Sequence, residues 1–290
     1  MTAAAIFAGL STLDIVQLVE RLPASNQKVA ALDFLVAAGG PATNAAVAFA
    51  RCGGAPALVT ALPRHDLSAL IRADLDRCGV RLEAVAAYDG PPVTASIMVT
   101  RATGDRAVVS PSGIATAGGV AAERETPIDG IGAVLVDGYF PDVSLPIARR
   151  ARDAGIPVIL DAGSHKPHTD EVVSACDIAV VSDDFAPPGT GGEPSAVLAY
   201  LAGLGVATAV ITRGGGSVLF STPASSGEVE VPRVSPVVDT LGAGDFFHGA
   251  LTWRIASLGR DDARLADDIA FASAVVAESL GSFGTRAWLA

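Results

Sequence analysis

Residues 133–161 read AVLVDGYFPDVSLPIARRARDAGIPVILD. Two short apolar runs, Ala133–Asp137 and Pro157–Asp161, flank Val143–Ala154, whose apolar residues recur at helical spacing. A strand, a helix and a second strand in so short a span predict a crossover between two parallel strands, with the helix lying on the sheet. The same alternation extends outward in both directions. Ala3–Leu10, Ala55–Ala61, Ile178–Val181 and Ala207–Thr212 read as further buried strands, and Ala42–Cys52, His65–Cys78 and Pro194–Leu204 as the helices between them. Glycines just past two of these helices, at Gly53-Gly54 and Gly79, supply stop signals. The expected class is therefore α/β, with a mostly parallel sheet covered by helices on both faces.

Two regions break the alternation. Lys28–Val36, and then Thr94–Thr100 with Arg106–Ser110, read as strands without intervening helices, the last two joined by a turn at Ala102–Asp105. They predict a small sheet standing off the body as a lid. Its exposed face is expected to carry Val29, Leu32 and Leu35, which would gain from cover by a partner. The last third carries strands near Ser217–Ser221 and Glu228–Val231, then two helices, Ala243–Leu258 and Asp262–Leu280.

Half of the 290 residues are hydrophobic and only 5% are aromatic, so Ala, Val, Leu and Ile must build the core. The formal net charge of -11 argues against a nucleic-acid partner, which needs a basic surface. Cys52, Cys78 and Cys176 are odd in number and widely spaced, as expected of inert thiols in a reducing compartment. Met1–Leu10 is apolar but lacks a basic leader, and reads as a first strand rather than a signal peptide. With no apolar run long enough to span a bilayer, a cytoplasmic protein with no membrane partner is expected.

The chain has two lysines, Lys28 and Lys166, and neither follows a GxxxxG run, so a Walker A loop is excluded. GxSxG and HExxH are absent, and the proline inside His165-Lys166-Pro167-His168 spoils a helical metal pair. Another stretch has the properties of a phosphate cradle: Val238-Asp239-Thr240-Leu241-Gly242-Ala243-Gly244-Asp245, running directly into a helix. The small residues Gly242, Ala243 and Gly244 let the backbone approach a ligand, and the helix start offers unpaired amides. Asp245 lies in the first turn, where the helix dipole favours its ionised form, suited to accepting a proton from a hydroxyl.

Asp239–Asp245 resembles the C-terminal signature of the ribokinase-like (PfkB) carbohydrate kinases. A second stretch, Ala38-Gly39-Gly40-Pro41-Ala42-Thr43-Asn44-Ala45-Ala46-Val47, resembles the family's N-terminal signature, and the likeness includes Gly9–Asp14. It implies one ribokinase-like domain over residues 1–290, a three-layer α/β/α sandwich whose lid is formed by residues 11–38 and 91–112. It also implies an ATP-dependent kinase acting on a hydroxyl of a sugar or sugar-like molecule. Asp245 would be the catalytic base, and the amides of Gly242, Ala243 and Gly244 the anion hole. Asp14, Gly39, Gly40 and Asn44 would meet the sugar, Asn44 offering both a donor and an acceptor. Arg106 would reach substrate or phosphate when the lid closes. Ser182, Thr212, Gly214, Ser273 and Gly281 would meet the nucleotide.

Magnesium would arrive with ATP, Asp183 steering it through water, and a monovalent cation such as K⁺ would sit near Asp239. A homodimer through the lids is the implied assembly. Two positions depart from the pattern. Pro41 stands where relatives often have Lys or Asn, and Ser182-Asp183-Asp184-Phe185 stands where many have Asn-x-x-Glu, a departure shared with ketohexokinase-like members. Two rival readings stay open: a nucleoside kinase on the same fold, which needs a flat surface for the base, and a non-catalytic sugar or nucleotide sensor.

Overall fold

The computed structural model describes residues 2–86, 88–111 and 125–290. In chain order the strands are β1 (Ala4–Ala8), β2 (Thr12–Val19), β3 (Asp33–Gly39), β4 (Ala55–Ala61), β5 (Arg81–Ala86), β6 (Thr94–Thr100), β7 (Arg106–Val109), β8 (Ala133–Val136), β9 (Val158–Ala162), β10 (Ile178–Ser182), β11 (Thr208–Thr212), β12 (Val218–Ser221) and β13 (Ser226–Val229). The α-helices are α1 (Pro41–Arg51), α2 (Asp66–Arg77), α3 (Pro141–Asp153), α4 (Thr169–Ser174), α5 (Pro194–Gly203), α6 (Ala243–Leu258) and α7 (Leu265–Ser279).

Nine strands form the main sheet in the order β13-β12-β11-β10-β9-β8-β1-β4-β5. It is parallel from β11 to β5, and β12 and β13 add an antiparallel edge. The chain starts at β1 in the middle, builds outward to β5, then returns to β8 on the other side of β1. That reversal opens a crevice beyond the carboxyl ends of the central strands, where ligands bind in open α/β sheets. One apolar layer packs β8, β9 and β10 against α3, α4 and α5, and a second packs the opposite face against α1, α2, α6 and α7. The expected α/β sandwich is the observed one.

The second sheet, β3-β2-β6-β7, stands apart from the first. Its make-up differs from expectation in two ways. The first lid strand starts at Asp33, so residues 28–32 are outside it, and Thr12–Val19 forms a strand of its own; residue 112 of the expected lid lies outside the described residues. The exposed face is also the other one. Strand residues alternate faces, so a one-residue shift exchanges them. Phe34, Val36 and Val109 point outward at 66%, 36% and 71% exposure, while Leu35 packs inward with Val16, Ile97 and Val99. Val29 precedes the strand, and exposed Leu32 lies just before it.

Candidate active site

A cavity of about 380 Å³ opens between the second sheet and the carboxyl ends of β8, β9, β10 and β11. Helices α1 and α6 enter it by their first turns. The two cross so closely that a Cβ on Gly249 would lie 2.1 Å from the carbonyl oxygen of Ala45. That crossing is what lets Asn44 of α1 donate from Nδ2 to Oδ2 of Asp245 on α6, at 2.8 Å.

Asp245 is half-buried on the cavity wall. Burial pushes its carboxyl up to about 7, the nearby Asp161 carboxylate pushes the same way, and Asn44, His248 and Arg106 oppose both. The direction is opposite to the one expected from the helix dipole, because lost hydration outweighs a dipole that acts over a single turn. Gly242 caps α6 in the left-handed region (φ 79°), which bends the chain so that the first-turn amides meet the cavity. Ala243 N–H reaches back to the Thr240 carbonyl at 3.3 Å, so it is partly engaged.

At the end nearer the second sheet, Asp14 is buried, takes the Thr12 hydroxyl as a hydrogen-bond donor and is raised to about 6 by burial. Gly39 does not line the cavity; it leaves room for that carboxylate, since a Cβ there would lie 1.9 Å from Asp14 Oδ2. Gly40 and Asn44 do line the cavity. Asn44 does not offer both of its ends to a ligand as expected, because its Oδ1 accepts from Arg286 Nη1 at 3.3 Å. Arg106 lines the cavity and donates to Thr240 Oγ1 at 3.1 Å, which in turn donates to the Gly104 carbonyl at 3.2 Å. The tip of the second sheet is thus tied to the loop leading into Gly242.

On the far side, Ser182 and Thr212 line the cavity. Gly214, Ser273 and Gly281 do not; Ser273 is buried within α7 and donates to the Ile269 carbonyl at 2.9 Å. Asp184, rather than Asp183, is on the wall: the chain turns after Ser182, with the Asp183 amide bound to Thr212 O, and presents the second acid. A hard cation held mainly by phosphate and water oxygens suits such an exposed carboxylate. Asp239 is buried, and its two oxygens accept the amides of Leu241 and Gly284, each at 2.8 Å. It therefore ties two loops together.

Several cavity residues escaped the sequence reading. Asp161, the penultimate residue of β9, faces Asp245; it is raised by burial, with His248 and Lys166 pulling it down. His248, one turn into α6, has Nδ1 2.7 Å from Gly244 O and 3.4 Å from Asp161 Oδ2, and Nε2 3.2 Å from Val180 O. Asp137, just past β8, is buried behind the cavity wall and raised to about 6 by that burial; it accepts the amides of Leu10, Ala42 and Tyr139. The one available signal was position: both acids lie at the carboxyl ends of strands that the sequence does mark.

Residues 4–289 match the pfkB family of carbohydrate kinases, and the chain belongs to that family. It is 26% identical over 259 residues to a ribokinase of Arabidopsis thaliana, covering 84% of this chain and 68% of the relative. It is equally 26% identical over 259 residues to an ATP-dependent ribose-1-phosphate kinase of Halopiger xanaduensis, covering 85% and 83%. The structure of Arabidopsis thaliana ribokinase complexed with ribose and ATP superposes with a TM-score of 0.77 at 23% identity, over 98% of this chain and 94% of that one. The chain is accordingly an ATP-dependent sugar kinase.

Proposed function

We propose that this enzyme moves the γ-phosphoryl group of ATP to a hydroxyl of a sugar or sugar-like acceptor bound beneath the second sheet, with Asp245 as general base. The observation that carries the reading is the meeting of Asn44, Asp245 and the first turn of α6 on one cavity wall. Asp245 takes the hydroxyl proton as the oxygen attacks phosphorus, and the bond to ADP breaks. The Gly242 and Gly244 amides, with the partly engaged amide of Ala243, face the charge on the transferring group. Asp14 accepts hydrogen bonds from other acceptor hydroxyls, and Arg106 supplies a cation from the lid. Ser182 and Thr212 lie toward the nucleotide.

Magnesium, bound with ATP, would neutralise phosphate charge, and Asp184 is the carboxylate placed to steer it. The apolar ceiling of Ala95, Ile97 and Val108, with Tyr139 opposite, also suits a nucleobase, which keeps a nucleoside acceptor as the second reading. We further propose a homodimer through the outer face of Phe34, Val36 and Val109, and, from three free thiols, a cytosolic setting.

A coupled ADP-release assay across hexoses, ketoses, sugar acids, pentoses and nucleosides tests the function. One acceptor class should drive ATP- and Mg²⁺-dependent release, which Asp245→Asn reduces by about 10²-fold or more. Unchanged turnover in that variant removes Asp245 from the chemistry. Binding of a sugar without any transfer would favour a sensor.

A further inference from the structure

We propose that Arg286 is a positioning residue for the transfer: it fixes the Asn44 amide with its NH₂ group toward Asp245, so that the carboxylate oxygen facing the acceptor, and not the one facing Asn44, takes the hydroxyl proton. The inference rests on the reading of Asp245 as the base.

Arg286 lies past α7, 242 residues from Asn44, and its side chain is 11% exposed. Its guanidinium donates to Asp74 Oδ2 at 3.0 Å, Ala38 O at 2.6 Å, Thr285 O at 2.9 Å and Asn44 Oδ1 at 3.3 Å. Guanidinium has donors only, whereas an asparagine amide presents an acceptor at one end and donors at the other, in nearly the same shape. The end of Asn44 beside Arg286 must therefore be the carbonyl, which leaves NH₂ for Asp245 Oδ2 at 2.8 Å.

An ionised Asp245 would by itself select that orientation. A protonated Asp245 would not, because its O–H could then donate to a reversed Asn44 carbonyl and hold the proton on the oxygen away from the acceptor. Only Arg286 forbids the reversal in both states. It is also held from below: Asp74 of α2 accepts Arg286, Arg77 and the Ala38 amide, so an ion pair clamps both backbone groups of Ala38, next to Gly39 and Gly40. The charged groups facing Asp245 are Asp161 from β9, Arg106 from β7 and His248 from α6; those facing Arg286 are Asp74 from α2 and Asp14 from β2. None of them can take over the Asn44 carbonyl.

Three variants and two readouts test this. Arg286→Met should lower kcat by on the order of 10- to 100-fold, with KM for ATP little changed. Asp74→Asn keeps an acceptor oxygen for the guanidinium and removes only the charge of the pair; it should cost melting temperature and lower kcat by less than Arg286→Met does. In an Asn44→Ala background, Arg286→Lys should have no further effect on kcat, which keeps the test open if Arg286→Met fails to fold. The second readout does not need turnover: carboxyl-carbon NMR titration of Asp245 should show its pKa higher in Arg286→Lys than in wild type, because the fixed NH₂ donor is loosened. The proposal is overturned if Asp74→Asn lowers kcat as far as Arg286→Met, if the Asn44 and Arg286 effects simply multiply, or if the Asp245 titration does not move. A wild type that transfers phosphate to no acceptor would instead overturn the kinase mechanism, and the titration alone would then decide the placement of Asn44.

Discussion

Asp245→Asn should stop turnover and yet stabilise the fold, by an amount that grows with pH. The wild-type carboxyl is raised from its ordinary 3.8 to about 7, by burial first and by Asp161 second. An aspartate raised in this way binds its proton more tightly folded than unfolded. Its contribution therefore favours the fold at low pH, is lost progressively as pH climbs from about 4 to about 7, and does not return above that. Each pK unit corresponds to about 1.4 kcal/mol, so the whole shift would be on the order of 4 kcal/mol. The carboxylate is only part-buried and opens on a wet cavity, and Asp161 competes for the same proton, so about half of that, ~2 kcal/mol, is the magnitude to test. Asparagine keeps the shape and still accepts from Asn44, without the charge. For a chain of this size ~2 kcal/mol corresponds to roughly 4 °C in Tm. Thermal melts of both proteins from pH 4 to 8.5, without ligands, should show a gap that is small at the acid end and widest above pH 7. A gap independent of pH, or one that widens as pH falls, would refute the argument that burial governs this carboxyl.

Three further outcomes are expected. With Asp245 as base, kcat/KM should fall as pH drops below about 7, and Asp14, raised to about 6, should steepen the fall further down; a profile flat to pH 5.5 contradicts the assignment. Gly39→Ala places a Cβ 1.9 Å from Asp14 Oδ2 and should cost roughly 1–3 kcal/mol of stability and raise KM for the acceptor alone; equal rises in both KM values would show that the damage is general. Phe34→Lys puts a charge at the centre of the exposed lid face and should convert a dimer to monomer in analytical ultracentrifugation, whereas an unchanged sedimentation coefficient places any interface elsewhere.

How much of this was legible before folding depends on how local each cause is. Ala55–Ala61 and Ala243–Leu258 have the bounds expected, because an apolar run ending in a turn, and a glycine-rich loop opening a helix, are signals contained in their own residues. Thr12–Val19 was not legible as a strand. Only three residues separate it from β1, and its partners, β3 and β6, arrive much later in the chain. The outward turning of Phe34 instead of Leu35 depends on register, and that is set by pairing with β2: Leu35 opposes Val16, and Gln17 opposes Phe34. In the site, Asp245 and Asn44 could be singled out from their motifs, but not their meeting, which needs two helices 201 residues apart to cross at Gly249. Arg286 and Asp74 lie in no motif at all. Their importance comes from being 212 residues apart in sequence and 3.0 Å apart in space.

Besides the packing of Leu241 against the second sheet, a hydroxyl links that sheet to the loop that opens α6. Thr240 Oγ1 accepts from Arg106 of β7 and donates to the carbonyl of Gly104 in the preceding turn, two residues before the glycine that starts α6. At the opposite end of the same small sheet, the Asp74–Arg286 pair grips Ala38 and passes through Asn44 to Asp245. Hydrogen bonds thus connect the sheet to the amide cradle at one corner and to Asp245 at the other. An enzyme that must spare ATP from water needs the base and the cradle to be correctly set only when an acceptor holds the lid down. On the proposed mechanism, two short hydrogen-bonded routes, one from each end of the sheet, would carry the position of the sheet to the cradle and to the base.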